Sequence, residues 1–280
     1  MTNSHCPLLG EPLRCGDLTR LGGQARDRLA GNKAALIRGF PADPDSLIGF
    51  LTQFGAPLPN YAGTTPATAA YTLHPNINVV HCTTGAEAGS RVQEQPGPLP
   101  AHSARAFSKN RPAFIAMLMI DPGWEGGEST VVRWPHALGY MREHQPATFT
   151  SDYTLLSQTP IAITASQVQD QWSTLPLLYP LPDAGSPGDI GARLSLVLAS
   201  QLGAMNMRDD LRCRYRQALD RFTAAANHPQ ASHACQLRAG DLLILDNNRF
   251  GHGRLPFPAT RTTSGQTEVN PRELWSVVLA

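Results

Sequence analysis

The chain has 280 residues, of which 41% are hydrophobic and 16% are charged, and its formal net charge is +1. A chain so close to neutral provides no strong positive field, so we expect neither nucleic acid nor an anionic membrane as a partner. Its apolar stretches are too short to cross a bilayer, and its first residues lack the pattern of a signal peptide, which predicts a cytoplasmic protein.

The cysteines and the turn-forming residues limit the architecture further. The 5 cysteines are scattered and contain no C-x-x-C pair, so we expect neither disulfides nor a cysteine zinc site. The 24 glycines and 24 prolines favour many short strands joined by long connections. The length suits a single domain over residues 1–280, with an insert at about residues 151–230 that helps to form a substrate pocket.

Two helices and one strand are predicted at the start of the chain. The first helix follows Asp17 and carries Leu18, Leu21, Ala25 and Leu29 on one face. The apolar segment Ala34–Phe40 is typical of a strand. A second helix is predicted over Pro44–Phe54, with Asp43 as its N-cap and proline in its first turn.

The rest of the chain is predicted to be mainly strands. The predicted strands are Ile77–His81, Ala113–Ile120, Ser129–Trp134, Ser232–Leu237, Asp241–Asp246 and Leu274–Leu279. Helices are predicted over Ile190–Met205 and Asp209–Ala225, whereas Ser151–Asp189 has no regular pattern. This order favours a mainly β fold, a sandwich or barrel with helices flanking it.

Two segments combine a histidine with an adjacent apolar stretch. The first, Gly97–Phe107, contains His102, and the second, Gly240–Arg254, contains His252. Imidazole is a good ligand for iron, zinc or copper, and two histidines with one carboxylate leave three positions on iron open. A single histidine is more often an ordinary polar residue. The case for a metal site therefore depends on the two histidines together and on their surroundings.

Those surroundings resemble the taurine dioxygenase and clavaminate synthase-like family of iron oxygenases. The similarity extends over the two histidine segments, Leu36–Phe40, Arg111–Pro112 and Gly126–Thr130, in that order along the chain. The resemblance implies a double-stranded β-helix, also called a jelly roll or cupin-like core. It also implies Fe(II), 2-oxoglutarate and O2 as cofactors, with His102 and His252 as metal ligands.

The same resemblance implies an arginine that binds the distal carboxylate of 2-oxoglutarate. The planar guanidinium suits this task because it donates two parallel hydrogen bonds. Arg272 stands at the start of the final predicted strand, where the family has this residue. The distance from His252 along the chain is longer than usual in the family, so Arg261 is a second candidate. Ser129 or Thr130 would donate a hydroxyl group to the same carboxylate.

The sequence departs from the family at Ala104, where the His-x-Asp or His-x-Glu pattern requires a carboxylate. None of the 9 histidines is followed two residues later by an acidic residue, so the motif has not shifted elsewhere. The change resembles the non-haem iron halogenases, in which alanine or glycine at this position leaves room for chloride. That likeness implies chlorination of an unactivated carbon, as in secondary metabolite biosynthesis. Arg254 and Asn247 are candidates for orienting His252 or the halide.

Two other functions remain open. The first is a hydroxylase or other oxidase in which water or a remote carboxylate, Glu94 or Glu128, completes the iron site. The second is a catalytically inactive homologue that only binds ligands. A zinc hydrolase is disfavoured because nothing supplies a third protein ligand or a placed base. The expected substrate is a free amino acid or a related small metabolite, with a carrier-tethered residue as the alternative. Glu87 and Glu94 are candidates for holding its amine.

Overall fold

The computed structural model describes residues 6–60, 73–82, 92–108, 110–165, 168–181 and 189–280. Its helices are α1 (Leu18–Asn32), α2 (Pro44–Leu51), α3 (Trp134–His144), α4 (Pro146–Gln158), α5 (Leu198–Gln201) and α6 (Asp209–Ala226). Its strands are β1 (Leu13–Arg14), β2 (Ala34–Arg38), β3 (Asn78–His81), β4 (Leu99–His102), β5 (Phe114–Asp121), β6 (Ser129–Arg133), β7 (Ile161–Ala165), β8 (Val168–Leu175), β9 (Leu178–Pro180), β10 (Ile190–Ala192), β11 (Ser232–Cys235), β12 (Leu242–Asp246), β13 (Phe250–Arg254), β14 (Thr260–Thr263), β15 (Gln266–Val269) and β16 (Glu273–Leu279).

Two sheets form the core. The larger has six strands in the order β1-β2-β12-β5-β16-β3, and the smaller has four in the order β11-β6-β13-β4. Apart from the parallel pair β1 and β2, the strands of both sheets are antiparallel. Strands that are neighbours in a sheet are mostly distant in sequence, which is the arrangement of a jelly roll.

Three hydrophobic clusters are formed, one between the two sheets and one on the outer side of each sheet. Between the sheets, buried side chains from both form one cluster, with members Leu36, Ala104, Met117, Val131, Leu243, Phe250 and Leu274. Helices α1 and α2 cover the outer face of the larger sheet. Helices α3, α4 and α6 form a third cluster beside the smaller sheet. Because strand side chains alternate between faces, each β-strand residue belongs either to the space between the sheets or to an outer layer.

The predicted start of the chain is confirmed. The carboxylate of Asp17 accepts hydrogen bonds from the backbone N–H of Thr19 and Arg20, which caps α1. Asp43 caps α2 in the same way through Ser46. Such a cap contributes about 1 kcal/mol to helix stability because it satisfies a backbone donor that the helix cannot pair.

The prediction for residues 151–205 was largely wrong. Ile190–Ala192 is a strand paired with β9 rather than the start of a helix, and the helical part of Ile190–Met205 is limited to the short helix α5 and a 3-10 turn over Leu202–Ala204. The helices α3 and α4 were missed altogether. A short apolar run fits the periodicity of a helix and that of a strand, so pairing with β9 decides which structure forms here. The helix predicted over Asp209–Ala225 is confirmed as α6. Among the described residues, no helix is both long and apolar enough to span a membrane.

Candidate functional site

The two predicted metal ligands lie side by side in the smaller sheet. His102 is the last residue of β4 and His252 is in the middle of β13, and the two residues are directly opposite each other in the antiparallel pair. Side chains opposite each other project from the same face. Their ring centroids are 4.3 Å apart with an interplanar angle of 46°. Strand pairing thus unites two residues that are far apart in sequence.

The protonation of both imidazoles suits metal binding. Nδ1 of His102 lies 3.0 Å from the carbonyl oxygen of Pro100, and since a carbonyl only accepts, this nitrogen carries the hydrogen. Nε2 of His102 therefore keeps its lone pair. Nδ1 of His252 is buried and has no hydrogen-bond partner among the described residues. Loss of hydration lowers the pKa of both histidines, and the neighbouring His102 lowers that of His252 further. Two neutral imidazoles and one orphaned nitrogen fit a transition metal.

Ala104 is two residues after His102, at the position where the sequence analysis expected a third ligand. Its side chain is 9% exposed and belongs to the cluster between the sheets. Its N–H donates to Oδ1 of Asn247 at 2.8 Å, and Nδ2 of Asn247 donates to its carbonyl at 3.0 Å. Nδ2 also donates to the carbonyl of Pro112 at 3.2 Å. Asn247 therefore fixes the backbone at Ala104; among its hydrogen bonds to described residues there is none to His252, for which the sequence suggested it.

No third metal-binding side chain accompanies the two histidines in the part of the chain that the structure describes: no group of three His, Cys, Asp or Glu residues occurs there. Glu94 is buried, 7% exposed, in the helical turn Val92–Glu94. Glu128 is partly exposed beside β6. Glu87, the other predicted substrate contact, lies outside the described residues.

Arg272 is buried directly before the final strand. Its side chain is 4% exposed, and Nη2 donates to the carbonyl of Gly127 at 3.3 Å. Its Nε has no hydrogen-bond partner among the described residues. Burial lowers the pKa of Arg272 to about 10, so the group is still positively charged at neutral pH. A buried cation with an unused donor is suited to an anionic ligand.

Glycine at position 127 leaves room for the side chain of Arg272. Its φ is +68°, a left-handed conformation that side chains disfavour. A Cβ there would be 3.0 Å from Nε and 3.3 Å from Cδ of Arg272. The Gly126-Gly127 turn thus leaves space beside β6 for the guanidinium group of Arg272.

The two hydroxyl candidates lie on opposite faces of β6. Ser129 pairs with Arg254, two residues from His252, so it shares the face on which both histidines lie. Ser129 is 5% exposed. Thr130 pairs with Gly253 and lies on the other face, where a Cβ added to Gly253 would be 2.8 Å from its Oγ1.

Arg261 differs from Arg272 because it is exposed and already paired with a carboxylate. It lies on the β14–β15 hairpin, whose residues are all exposed. Its Nη2 is 2.8 Å from the carboxylate of Glu268, and its guanidinium carbon lies 4.2 Å from the centre of the Trp124 ring. The longer connection after His252 is therefore a surface hairpin. The side chain of Arg261 contacts Glu268 within this hairpin and the ring of Trp124.

Arg254 holds the segment that leads into β4. Its guanidinium donates to the carbonyls of Gln93 at 2.7 Å and Gly97 at 2.8 Å, and also to that of Gln95. Burial, together with the charge of Arg272, lowers its pKa to about 10. Both guanidiniums face the ring of Phe257, with Cζ at 4.5 Å for Arg254 and 5.6 Å for Arg272.

Cys82 lies near Arg254 and Arg272, which the sequence analysis did not predict. It follows β3, is 8% exposed, and its N–H donates to the carbonyl of Arg272 at 3.1 Å. Burial raises the pKa of its thiol, while the charges of Arg254 and Arg272 oppose that rise. No local pattern marks this residue, because only the pairing of β3 with β16 brings it here.

Comparison with known proteins identifies the family. Residues 15–275 match the sequence profile of the family described as "Taurine catabolism dioxygenase TauD, TfdA family". The chain belongs to the TauD/TfdA family. The resemblance found in the sequence is thereby confirmed, and this TauD/TfdA protein is an oxidoreductase of the non-haem iron, 2-oxoglutarate-dependent dioxygenase type. The sequence has no match among curated proteins.

Solved structures share the fold of this TauD/TfdA protein. Asparagine oxygenase, solved with Fe(II), 2S,3S-3-hydroxyasparagine and succinate, has a TM-score of 0.62 and 18% identity, covering 94% of this chain and 78% of its own. PvcB from Pseudomonas aeruginosa has a TM-score of 0.59 and 20% identity, covering 92% and 79%. The non-heme iron oxygenase OrfP, solved with Fe and alpha-ketoglutaric acid, has a TM-score of 0.61 and 19% identity, covering 94% and 83%. The predicted jelly-roll fold is confirmed.

Proposed function

We propose that this protein is an Fe(II)- and 2-oxoglutarate-dependent halogenase that chlorinates an unactivated carbon of a small, amino-acid-like metabolite. The observation that carries the proposal is Ala104, a methyl group at a backbone position that Asn247 holds from both sides, with no carboxylate beside the two histidines among the described residues.

The protein ligands of iron are His102 and His252. Their paired register, the 4.3 Å separation of their rings and their lowered pKa values support this role. The Pro100 carbonyl fixes the tautomer of His102, so that Nε2 is the nitrogen that binds. When bound, iron and 2-oxoglutarate activate O2 and supply an oxidant that removes hydrogen from an unreactive carbon.

The distal carboxylate of 2-oxoglutarate is held by Arg272, with Ser129 as the hydroxyl donor. Arg272 is buried, charged and has an unused N–H, and Ser129 lies on the face that carries the histidines. Arg261 and Thr130 are set aside for this role because one is exposed and paired with Glu268 and the other lies on the opposite face. Arg254 fixes the residues before β4 and so orients His102 rather than binding the co-substrate.

Ala104 determines which anion shares the metal. Replacing a carboxylate by a methyl group removes one negative charge and one oxygen ligand from the ferrous site. A chloride ion would restore that charge and would occupy a single coordination position on the metal. The protein must also position the target carbon of the substrate so that transfer of chlorine to this carbon is faster than transfer of a hydroxyl group.

The proposed substrate class comes from the structural neighbours. Asparagine oxygenase was solved with 3-hydroxyasparagine, and OrfP with hydroxylated L-arginine. PvcB is described as coming from an isonitrile synthetic pathway. A free amino acid or a close derivative is therefore the first class to test, with carrier-tethered residues second. The segment at about residues 151–230 is proposed to contribute to its pocket.

A second candidate function is hydroxylation of the same substrate class. It is favoured by these neighbours, two of which were solved with hydroxylated amino acids. In that case water would take the place of the missing carboxylate. An inactive homologue that only binds ligands is disfavoured because both histidines are retained, directly opposite each other on β4 and β13, where together they can hold a metal.

The deciding experiment follows iron, co-substrate and product in turn. Fe(II) and 2-oxoglutarate are added anaerobically with chloride or gluconate, and the charge-transfer absorption is recorded. Oxygen and a panel of amino acids are then supplied, and products are analysed by mass spectrometry with chloride and with bromide. We expect a chloride-dependent band and products with the isotope pattern of the added halogen. Ala104→Gly should retain halogenation, whereas Ala104→Asp should lose it.

Other outcomes favour other functions. A band indifferent to chloride together with only hydroxylated product contradicts halogenation and favours the second candidate. Absence of O2-dependent succinate formation with every substrate, in the presence of normal Fe(II) binding, contradicts both.

A further inference from the structure

A cavity of about 310 Å³ lies between helix α1 and the end of β12. Its apolar walls include Leu29 of α1, Phe54 just after α2, and Phe114 at the start of β5. These three side chains belong to the hydrophobic cluster on the outer face of the larger sheet. His252 instead pairs with Val131, whose side chain lies between the two sheets. The larger sheet therefore separates this cavity from the proposed metal site.

Two cationic side chains also line the cavity. Arg26 is exposed on α1, and Lys33 is partly exposed directly after that helix. Neither forms an ion pair with a carboxylate among the described residues. The lining also includes the carboxylate of Asp246, which is paired with Arg249 at 2.6 Å. The cavity therefore has two positive charges against one negative charge, and the negative charge already has a partner.

The backbone of Lys33 has a conformation that glycine would adopt more easily. Its φ is +61°, in the left-handed region, at a position after a helix where glycine is the usual residue. Its N–H donates to the carbonyl of Leu29 at 3.1 Å, and its carbonyl accepts the N–H of Asp246 at 2.9 Å. Glycine would make both hydrogen bonds without strain. A lysine at this position, with its side chain lining a cavity, indicates a role for the ammonium group.

The size and the lining of the cavity define a class of ligand. Ligand pockets in proteins have volumes of about 300–1,000 Å³, so this cavity suits a small molecule with a single ring. The rings of Phe54 and Phe114 favour an aromatic ring as their neighbour. The charges of Arg26 and Lys33 favour a carboxylate, to which both side chains can donate charged hydrogen bonds.

We propose that this cavity is a binding site for a small aromatic monocarboxylate. The ring of the ligand lies against Phe54 and Phe114, and its carboxylate lies between Arg26 and Lys33. The site is separate from the one that binds iron and 2-oxoglutarate, and the proposal does not depend on whether the enzyme halogenates or hydroxylates. The walls are a helix and the ends of two core strands, so the site belongs to the rigid part of the fold.

Three probes of similar shape and different charge test the ligand class. The full chain is titrated with 4-fluorophenylacetate, with the neutral 4-fluorophenylacetamide and with the cationic 4-fluorophenethylamine, and binding is followed by fluorine NMR. We expect the acid to bind about 3- to 10-fold more tightly than the amide, because exposed ion pairs contribute modestly to affinity. The amine should bind more weakly than the amide. Equal affinity for the acid and the amide would contradict an anion site, and tightest binding of the amine would show that Asp246 dominates and overturn the proposal.

Substitutions on α1 and directly after it locate the binding site. Lys33→Gly should weaken binding of the acid about 3- to 10-fold and leave binding of the amide unchanged. Without a probe, this variant should melt about 1–2 °C above wild type, because the backbone strain is relieved. Ala30→Phe should abolish binding of both probes, since Ala30 is exposed on α1 and lines the cavity. Arg20→Gln is the matched control, an exposed arginine of α1 outside the cavity, and it should bind like wild type.

One further variant separates this site from that of the co-substrate. Arg272→Gln should bind 4-fluorophenylacetate as wild type does, because Arg272 is not part of the cavity. Loss of binding in Arg272→Gln together with normal binding in Lys33→Gly and Ala30→Phe would place the probe at the co-substrate site and overturn the proposal. That result would leave the proposed function untouched.

Discussion

The side-chain amide of Asn247 is hydrogen-bonded to both the N–H and the carbonyl of Ala104, at 2.8 Å and 3.0 Å. Asn247 is 2% exposed and follows β12 in the larger sheet, whereas Ala104 follows β4 in the smaller sheet. One side chain therefore ties the two sheets together at the residue that departs from the family's metal-ligand pattern. The backbone position of Ala104 therefore depends on this pair of hydrogen bonds.

Asn247→Ala should lower stability and weaken metal binding together. It removes three buried hydrogen bonds and leaves backbone groups unsatisfied, which costs about 2–4 kcal/mol of unfolding free energy. Chemical denaturation and Fe(II) titration measure the two effects. Asn76→Ala is the control, since that side chain is partly buried and donates to the Pro57 carbonyl. Equal losses of stability in both variants with unchanged iron affinity would contradict a positioning role for Asn247.

Arg272→Lys should raise the apparent KM for 2-oxoglutarate by about 10- to 100-fold. Lysine keeps the charge but loses the bidentate fork, and a hydrogen bond to a charged group contributes about 1.5–3 kcal/mol. Succinate formation at varied 2-oxoglutarate concentration measures the change. Arg261→Gln, on the exposed hairpin, should leave KM unchanged. The opposite pattern would make Arg261 the co-substrate residue.

Ser129→Ala and Thr130→Ala should differ although the residues are neighbours. Ser129 lies on the face of His252, so its loss should raise the KM for 2-oxoglutarate by roughly 3- to 10-fold, equivalent to one hydrogen bond of about 1 kcal/mol. Thr130 lies on the opposite face, and its replacement should not affect KM. A larger effect of Thr130→Ala would show that the face assignment is wrong.

Gly127→Ala should destabilise the fold and impair co-substrate binding. The φ of +68° costs an L-residue about 1–2 kcal/mol, and the new Cβ would lie 3.0 Å from Nε of Arg272. Thermal melts and 2-oxoglutarate titration follow the two losses. Gly139→Ala is a matched control in helix α3, where a Cβ meets nothing within 4 Å. That control should gain about 0.5–1 kcal/mol, because alanine favours helix.

The sequence reached the histidine pair without the structure, but only through a resemblance that covers most of the chain. Local periodicity placed α1, α2 and α6 and most of the core strands correctly. It failed at Ile190–Ala192, where three apolar residues fit a helix or a strand and pairing with β9 decided the outcome. It also missed the β14–β15 hairpin, whose polar, exposed residues have no hydrophobic pattern to detect.

Residue identity and spacing are enough to establish which chemical groups the chain can offer to a metal site. Position 104, two residues after His102, is alanine, and none of the other histidines has an Asp or Glu two residues after it. Arginines are present near the end of the chain. These facts are local, since they depend only on residue identity and spacing. They are enough to raise the question of which anion shares the metal.

The arrangement of those groups depends on the folded chain. Arg272 is buried whereas Arg261 is exposed. The strand register places Ser129 on the face that carries His252 and Thr130 on the opposite face. The link from Asn247 to Ala104 depends on hydrogen bonds between residues that are far apart in sequence. Burial and hydrogen-bond register are properties of packed strands, and no window of sequence contains the partner strand on which they depend.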